Sequence, residues 1–285
     1  MNQLSGIARL ANRYRVMRHG QSKANEAGVI VSRIESDQGG DWGLSELGRR
    51  QALAAAEGSG LPAETVICSS DFSRARQTAE IVRAYLGAPA VIVTGALRER
   101  SFGDLDGTPA TNYARVWAAD EAGASSTDSG IEPAAAVLDR TAALIADLER
   151  RYAGRDILLV SHGDTLQILQ AGFLRLDPAR HRSVPHLETA EIRELRLAGE
   201  PPQAGVRLRS YHLSDKIVSD CETPWGGSRP GSIRTTSGRA RPPCPAAAIP
   251  RRWPAGAWGS SRSSGAPCRR RSSSRGSWTG SWPTG

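Results

Sequence analysis

The sequence predicts an α/β domain with a mostly parallel sheet, followed by a C-terminal tail that lacks a core. Short apolar runs that suit strands buried on both faces alternate with longer segments of helical periodicity. Alternating strands and helices are typical of a parallel sheet. Between 219 and 285 the apolar pattern stops, because Leu, Val, Met, Phe and Tyr are absent there and Ile occurs only as Ile233 and Ile249.

Strands are predicted wherever an apolar run is short and bounded by polar residues or turns. Four runs meet this condition, and they lie at 14–18, 65–68, 90–93 and 157–160. Two further strands, near 190–196 and 206–212, are predicted to finish the sheet.

Helices are predicted between these strands. The first spans 46–57, with Ser45 as its N-cap. The second has apolar residues at alternating spacings of three and four over 72–86, which gives one apolar stripe. A long third helix follows Pro133 and ends near Gly154. A fourth begins directly after the last of the four apolar runs.

The segment 219–285 differs from the rest in charge as well as hydropathy. It contains 11 arginines against two acids, a net charge of +9, so the chain's total of +8 leaves residues 1–218 at −1. This composition is typical of a disordered segment, and equally of GC-rich coding sequence read out of frame. We therefore predict a domain at 1–218 and a disordered tail at 219–285, which could bind polyanions non-specifically but no specific nucleic acid.

The cysteine pattern and the hydropathy limit the cellular location and the cofactors that we expect. No CxxC pair or Cys/His cluster at zinc spacing is present, and Cys68 is expected to be inert in a buried strand. No signal peptide and no run of membrane-spanning length is found, which favours a cytoplasmic protein. We expect neither a metal nor a cofactor.

Charged and nucleophilic side chains stand at the ends of the predicted strands. Arg18 and His19 end the first strand, and Arg74 lies one turn into the helix after the second. Glu99 lies just past the third strand, and His162 ends the fourth. Because ligands bind outside the carboxyl ends of parallel strands, these five side chains are expected at one edge of the sheet.

These residue types suit phosphoryl transfer. The planar fork of an arginine binds two phosphoryl oxygens, and a charged histidine beside two arginines would stabilise the transition state further. A second, neutral histidine can attack phosphorus and divide the transfer into two steps. A carboxylic acid can protonate the departing alkoxide and then accept a proton from water.

The residues around these positions resemble four sequence blocks of the histidine phosphatase superfamily, also called the phosphoglycerate mutase-like family. The blocks occur in the family's order and span most of residues 14–170. They are Arg18-His19-Gly20-Gln21-Ser22-x-x-Asn25, Ser69-Ser70-Asp71-x-x-Arg74-Ala75-x-Gln77-Thr78-Ala79, Leu97-x-Glu99-x-x-x-Gly103-x-x-x-Gly107 and Val160-Ser161-His162-Gly163.

The resemblance implies a three-layer α/β/α sandwich in which His19 is the phosphorylated nucleophile and Glu99 the proton donor. Glu64, Glu80 and Asp104 are further carboxylates near these positions in the sequence. The residues that the resemblance places against phosphate or substrate are Arg18, Gln21, Ser22, Asn25, Arg74, His162 and Gly163. The remaining histidines match no block and are interpreted as structural: His181, His186 and His212.

Three functions fit this fold: a phosphatase, a 2,3-bisphosphoglycerate-dependent phosphoglycerate mutase, and a non-catalytic binding member. Ala24 stands where the mutase typically has Trp, and only 62 residues separate Glu99 from His162, which favours a phosphatase. The filled catalytic positions disfavour the non-catalytic member. The expected partner is a small phosphorylated metabolite, and sugar phosphates, nucleotides and vitamin precursors all fit.

Residues 102–131 are polar and weakly periodic, and we interpret them as a cap over the site. Acidic side chains in this cap are expected to repel a bisphosphate more than a monophosphate. They are Asp104, Asp106, Asp120, Glu121 and Asp128.

Overall fold

A five-stranded sheet forms the centre of the protein in the computed structural model, which describes residues 3–124 and 129–199. The spatial order of the strands is β3-β2-β4-β1-β5, and all neighbours pair in parallel except β5, which is antiparallel to β1. This confirms the predicted class. The strands are β1 (Arg13–Arg18), β2 (Val66–Ser69), β3 (Ile92–Val93), β4 (Asp156–Ser161) and β5 (Ile192–Leu195).

Helices cover both faces of the sheet and make the three layers. Both faces of the central strand β4 are covered in this way. Leu158 and Val160 pack with α2 and α3, while Ile157 and Leu159 pack with α5 and α6. Such a strand must be apolar throughout because neither face meets water. The helices are α1 (Lys23–Ala27), α2 (Glu46–Gly58), α3 (Ser73–Leu86), α4 (Tyr113–Glu121), α5 (Ala134–Arg151) and α6 (Gly163–Phe173).

One predicted strand is shorter in the structure. The run at 90–93 forms only the two-residue β3, because it pairs on one side alone and Val93 is exposed at the sheet edge. The strand predicted at 206–212 and the tail predicted at 219–285 lie outside the described residues. None of the described helices combines the length and apolar character needed to cross a bilayer.

The loop after β1 lies directly on the first turn of α2. Ser45 caps that helix by accepting from the Gly48 amide at 3.0 Å, as predicted. A Cβ atom on Gly20 would overlap the backbone of Gly48, and one on Gly48 would overlap the backbone of Gln21. This close approach of two backbones requires glycine at both positions and fixes the loop that follows His19.

Candidate active site

His19 follows the last residue of β1 and is buried. Its Nδ1 lies 2.7 Å from the Gly20 carbonyl oxygen, which can only accept, so the ring proton is on Nδ1 and Nε2 keeps its lone pair. Burial, together with the charges of Arg74 and Arg18, holds the pKa of His19 well below its ordinary value. The ring is therefore neutral at neutral pH, with Nε2 available as a nucleophile.

The guanidinium of Arg74 lies beside Nε2 of His19. It is the second residue of α3, and its Nε donates to Nε2 of His19 at 3.2 Å while Nη2 donates to the Val31 carbonyl at 2.8 Å. Asp37 fixes the start of this helix by accepting from the amide and hydroxyl of Ser73. Burial lowers the pKa of Arg74, but an arginine stays charged in proteins. The guanidinium is therefore held against the nucleophile.

Arg18 reaches the pocket from the end of β1. Its Nη1 donates to the Leu187 carbonyl at 3.0 Å and to Nε2 of His186 at 2.7 Å. The sequence interpretation of His186 as merely structural misses this contact with a candidate phosphate-binding residue. His186 belongs to no motif and lies in the loop before β5, far along the chain from Arg18, so only the folded structure reveals the contact.

His162 lies opposite His19, with ring centroids 5.2 Å apart. Its Nε2 is 2.9 Å from the Ser70 hydroxyl, which in turn accepts from the Phe72 amide. Burial and the charge of Arg74 lower the pKa of His162 well below its ordinary value. The sequence-based expectation of a charged second histidine therefore does not hold for the free pocket, where the desolvated ring is neutral.

Three buried nitrogens have no hydrogen-bond partner among the described residues. They are Nε of Arg18, Nη1 of Arg74 and Nδ1 of His162. Buried polar groups are nearly always paired, so three unpaired nitrogens around one nucleophile need an explanation. Two of them are charged donors, and His162 becomes a third donor when Ser70 donates to Nε2. An anion with several acceptor oxygens would satisfy all three.

Glu99 is the buried carboxylate of this site. Its Oε1 accepts from the Arg100 amide at 2.9 Å and from the amide and hydroxyl of Thr165 at 3.2 and 3.1 Å. Burial, followed by the negative charge of Asp164, raises the pKa of Glu99. By contrast, Glu80 and Asp104 are exposed and form ion pairs with nearby arginines, and Glu64 is also exposed. Glu99 is thus suited to carry a proton.

The remaining residues predicted to contact substrate are Gln21, Ser22, Asn25 and Gly163. Ser22 and Asn25 form the capping box of α1, in which Oδ1 of Asn25 accepts from the Ser22 amide at 3.0 Å. Gln21 accepts from the Ser45 hydroxyl at 2.7 Å. A Cβ atom built on Gly163 would lie 3.5 Å from Nε of Arg18, so this glycine borders the pocket. Their contact with substrate stays a prediction.

A second group of buried charges lies behind Glu99. Arg100 forms a bidentate ion pair with Asp120 of α4, and its Nη1 lies 3.3 Å from Asp164. Asp164 also accepts from Trp117 at 2.8 Å and lies 3.1 Å from Nε2 of His181. These contacts hold the cap helix α4 on the start of α6. They support a structural role for His181, while His212 lies outside the described residues.

Two of the acidic side chains of the cap have partners that the sequence does not reveal. Asp120 forms an ion pair with Arg100, and Asp106 accepts hydrogen bonds from Ser32, Arg33 and Ser36. The expectation that they would repel a bisphosphate does not hold for Asp120, whose charge Arg100 compensates. Asp106 remains an anion, because these hydrogen bonds hold its pKa below the ordinary value. Asp128 lies outside the described residues. In the described part of the chain, no three His, Cys, Asp or Glu side chains are grouped to hold a metal ion.

The chain is similar to proteins of a known family. The sequence model of the histidine phosphatase superfamily (branch 1) matches residues 15–206. A metal-independent phosphoserine phosphatase of Arabidopsis thaliana is 31% identical, over 58% of this chain and 68% of its own length. A glucosyl-3-phosphoglycerate phosphatase of Mycobacterium tuberculosis is 33% identical, over 59% of this chain and 78% of its own length.

The fold has solved counterparts. The native structure of a mycobacterial glucosyl-3-phosphoglycerate phosphatase superposes with a TM-score of 0.54 and 30% identity, covering 64% of this chain and 88% of the other. The match confirms the predicted three-layer arrangement.

Proposed function

Because the chain belongs to the histidine phosphatase superfamily, and is a histidine-type phosphatase, we propose that it releases phosphate from a small phosphate monoester through a phosphohistidine at Nε2 of His19. The observation that carries this proposal is the set of unpaired nitrogens on Arg18, Arg74 and His162 around that atom. A phosphoryl group offers three acceptor oxygens, and these nitrogens offer it three partners.

The first step transfers the phosphoryl group to the protein. The lone pair on Nε2 of His19 forms the N–P bond while the P–O bond to the leaving group breaks. Glu99, protonated because its pKa is raised, gives its proton to the departing alkoxide. The two arginines compensate the charge on the equatorial oxygens throughout.

The second step returns the protein to its starting state. Water attacks phosphorus, the N–P bond breaks, and the electron pair returns to Nε2 of His19. Glu99, now a carboxylate, takes the proton of the attacking water, and inorganic phosphate leaves. The atoms balance without a metal or a further reactant.

The relatives support a small phosphorylated metabolite as the substrate. One is named for phosphoserine and another for glucosyl-3-phosphoglycerate, both of which are phosphate monoesters. The mycobacterial phosphatase has also been solved with inorganic phosphate and with VO3. An anion of this shape suits the pocket described above.

The test is phosphate release by the full-length protein and its His19→Ala variant. With p-nitrophenyl phosphate, the variant is expected to lose about 10⁴-fold or more of kcat, because it lacks the nitrogen that forms the N–P bond. Glu80→Gln, an exposed change on α3, is the matched control and should leave kcat unchanged. Retained turnover in His19→Ala would rule out the proposed mechanism.

A second assay separates hydrolysis from mutase activity. The protein is incubated with 3-phosphoglycerate and a trace of 2,3-bisphosphoglycerate, and both 2-phosphoglycerate and free phosphate are followed. The proposal predicts free phosphate as the main product. Rapid isomerisation with little phosphate released would show mutase activity and contradict the proposed phosphatase activity.

A further inference from the structure

The Ser70 hydroxyl is a buried polar group beside the second histidine. Ser70 follows β2 and is fully buried, and its backbone amide donates to the Val160 carbonyl of β4 at 3.0 Å. Its hydroxyl oxygen accepts from the Phe72 amide at 3.3 Å and lies 2.9 Å from Nε2 of His162. The backbone contact to β4 therefore fixes the residue whose hydroxyl meets the imidazole.

This hydroxyl carries one proton, which needs an acceptor. The Phe72 amide donates to the oxygen, so that contact uses a lone pair and leaves the hydroxyl proton unplaced. Among the described residues, Nε2 of His162 is the only further hydrogen-bond partner of the hydroxyl. Because a buried donor without an acceptor is costly, the satisfied arrangement is donation from Ser70 to Nε2.

The His162 ring has only one proton to place. Burial, followed by the charge of Arg74, lowers the pKa of His162 and keeps the ring neutral. Three further side chains lower the pKa in the same direction, and they are His19, Arg140 and Arg18. In a neutral imidazole one nitrogen donates and the other accepts, so acceptance at Nε2 places the proton on Nδ1.

Nδ1 is the nitrogen of His162 that is left for a ligand. It is buried and has no hydrogen-bond partner among the described residues. The ring is packed edge-on between those of Phe72 and His19, with centroids 5.1 and 5.2 Å away, which restricts its rotation. A phosphoryl oxygen that meets an N–H at this position is bound, whereas one that meets a bare nitrogen faces a lone pair.

The two histidines thus have the same tautomer and offer opposite ends to the pocket. In His19 the Gly20 carbonyl holds the proton on Nδ1, so the bare Nε2 is free to attack phosphorus. In His162 the hydroxyl of Ser70 occupies Nε2, so the protonated Nδ1 is free to donate. One tautomer therefore serves as a nucleophile in one ring and as an oxygen-binding donor in the other.

We propose that Ser70 is a positioning residue that holds the proton of His162 on Nδ1, so that this histidine binds the phosphoryl group as a donor. The inference rests on the proposed function, because it takes a phosphoryl oxygen as the ligand of Nδ1. Ser70 acts through the ring and not on the substrate. Without its hydroxyl no neighbour selects the tautomer, and the affinity for phosphate falls with the share of rings that are ready to donate.

The first measurement locates the ring proton. In the full-length protein with ¹⁵N-labelled histidine, long-range ¹H–¹⁵N correlation spectra separate a protonated ring nitrogen from a bare one. The His162 signals are identified by their loss in His162→Gln. We expect a protonated Nδ1 and a bare Nε2 in the wild type, and a mixture of both tautomers in Ser70→Ala.

The second measurement is the Kd for inorganic phosphate, taken by titration calorimetry so that no turnover is needed. Ser70→Ala is expected to raise this Kd about tenfold, because a donor to a charged ligand is largely lost. Ser69→Ala is the matched control. The Ser69 hydroxyl is equally buried but donates to the Ser70 carbonyl at 2.9 Å, so its loss should change Kd by less than about twofold.

Two larger side chains separate the hydroxyl from packing. Ser70→Thr keeps the hydroxyl and Ser70→Val replaces it with a methyl group, while both add the same bulk. Any packing defect is therefore common to the pair, and the difference between them reports on the hydroxyl. The threonine variant is expected to keep the proton on Nδ1 and to bind phosphate about tenfold more tightly than the valine variant.

A wild-type ring protonated on Nε2 would overturn the role of Ser70. Equal phosphate affinity in the wild type and Ser70→Ala, or in the threonine and valine variants, would also overturn it. An equal loss in Ser69→Ala would do the same, since any buried hydroxyl would then suffice. Hydrolysis of p-nitrophenyl phosphate by the wild type is measured separately. Its absence would remove the proposed function, whereas the ring proton and the phosphate affinity still decide the role of Ser70.

Discussion

Two groups of buried charges lie side by side in this domain and differ in their pairing. Arg100 is 1% exposed and Arg74 is 4% exposed, so both guanidinium groups are equally removed from water. Arg100 has bidentate Asp120 and nearby Asp164 as counter-ions, whereas Nη1 of Arg74 has no partner among the described residues. The comparison shows that burial alone does not separate the two arginines, whereas pairing does, and we propose that the unsatisfied donor marks the residue that binds phosphate.

The two groups are expected to respond differently to mutation. An unpaired buried donor destabilises a fold by about 1–3 kcal/mol. Its removal is therefore expected to raise the free energy of unfolding while it weakens substrate binding. A paired buried ion has the opposite property, because removing one partner leaves the other charge uncompensated. Stability and activity measured on the same variants therefore test the assignment of each group.

Arg74→Met is expected to have the largest effect on activity. It removes the contact to Nε2 of His19 and a donor to the phosphoryl oxygens, and kcat/KM should fall by about 10³-fold. The free energy of unfolding should stay within about 1 kcal/mol of wild type or rise. Chemical denaturation and phosphate release are measured on the same preparation.

Arg76→Met, an exposed arginine on the same helix, is the control and should change neither quantity. If Arg74→Met lost stability as steeply as activity, Arg74 would belong with Arg100 as a structural ion.

Asp120→Asn is expected to have the largest effect on stability. It leaves the Arg100 guanidinium without its bidentate counter-ion, and the free energy of unfolding should fall by about 3 kcal/mol. Asp104→Asn is the matched control, because that carboxylate is 78% exposed in its pair with Arg33. The control should change by less than about 0.5 kcal/mol, as exposed pairs contribute little. Equal effects in urea denaturation would contradict the distinction.

Glu99→Gln is expected to have a smaller, substrate-dependent effect. Turnover of an alkyl phosphate should fall by about 10²-fold, whereas p-nitrophenyl phosphate, whose leaving group needs no proton, should be slowed much less. The raised pKa of Glu99 keeps the acid protonated to higher pH than an ordinary glutamate. The wild-type rate for the alkyl ester should decline as pH rises through that pKa, and the decline should disappear in the variant.

Equal slowing of both esters would show that Glu99 is not the proton donor. The full pH profile of kcat, rather than a single rate, is the measurement that decides this. An exposed carboxylate such as Glu80 provides the control, since Glu80→Gln should leave the profile unchanged.

The residues at the strand ends could be placed from the sequence, because the apolar pattern identifies the strands and a parallel sheet brings their carboxyl ends to one edge. Once 14–18 and 157–160 are identified as buried parallel strands, Arg18 and His162 must lie at the same edge of the sheet, as the register pairs Arg18 with Ser161. The family motifs add the residues between them. The location of Glu99 follows in the same way, from the strand end before it.

The supporting contacts could not be predicted, because they join segments that are distant in the chain and carry no pattern. His186 contacts Arg18 through a loop with no periodicity, and Asp120 meets Arg100 through the cap. A sequence shows that Asp120 is an acid, but not that the acid is neutralised. The prediction of a repulsive cap was therefore wrong for Asp120, whose charge is compensated by Arg100.

The most direct test of the central claim is the position of the phosphoryl group during turnover. The full-length protein is mixed with a ³²P-labelled phosphodonor, quenched within milliseconds, and the labelled residue is identified by mass spectrometry. We expect an acid-labile, base-stable label on His19 at Nε2, which disappears when the label is chased with unlabelled substrate and is absent from His19→Ala. A label on Ser70, Asp71 or His162 instead, or turnover in which His19 is never labelled, would contradict the account.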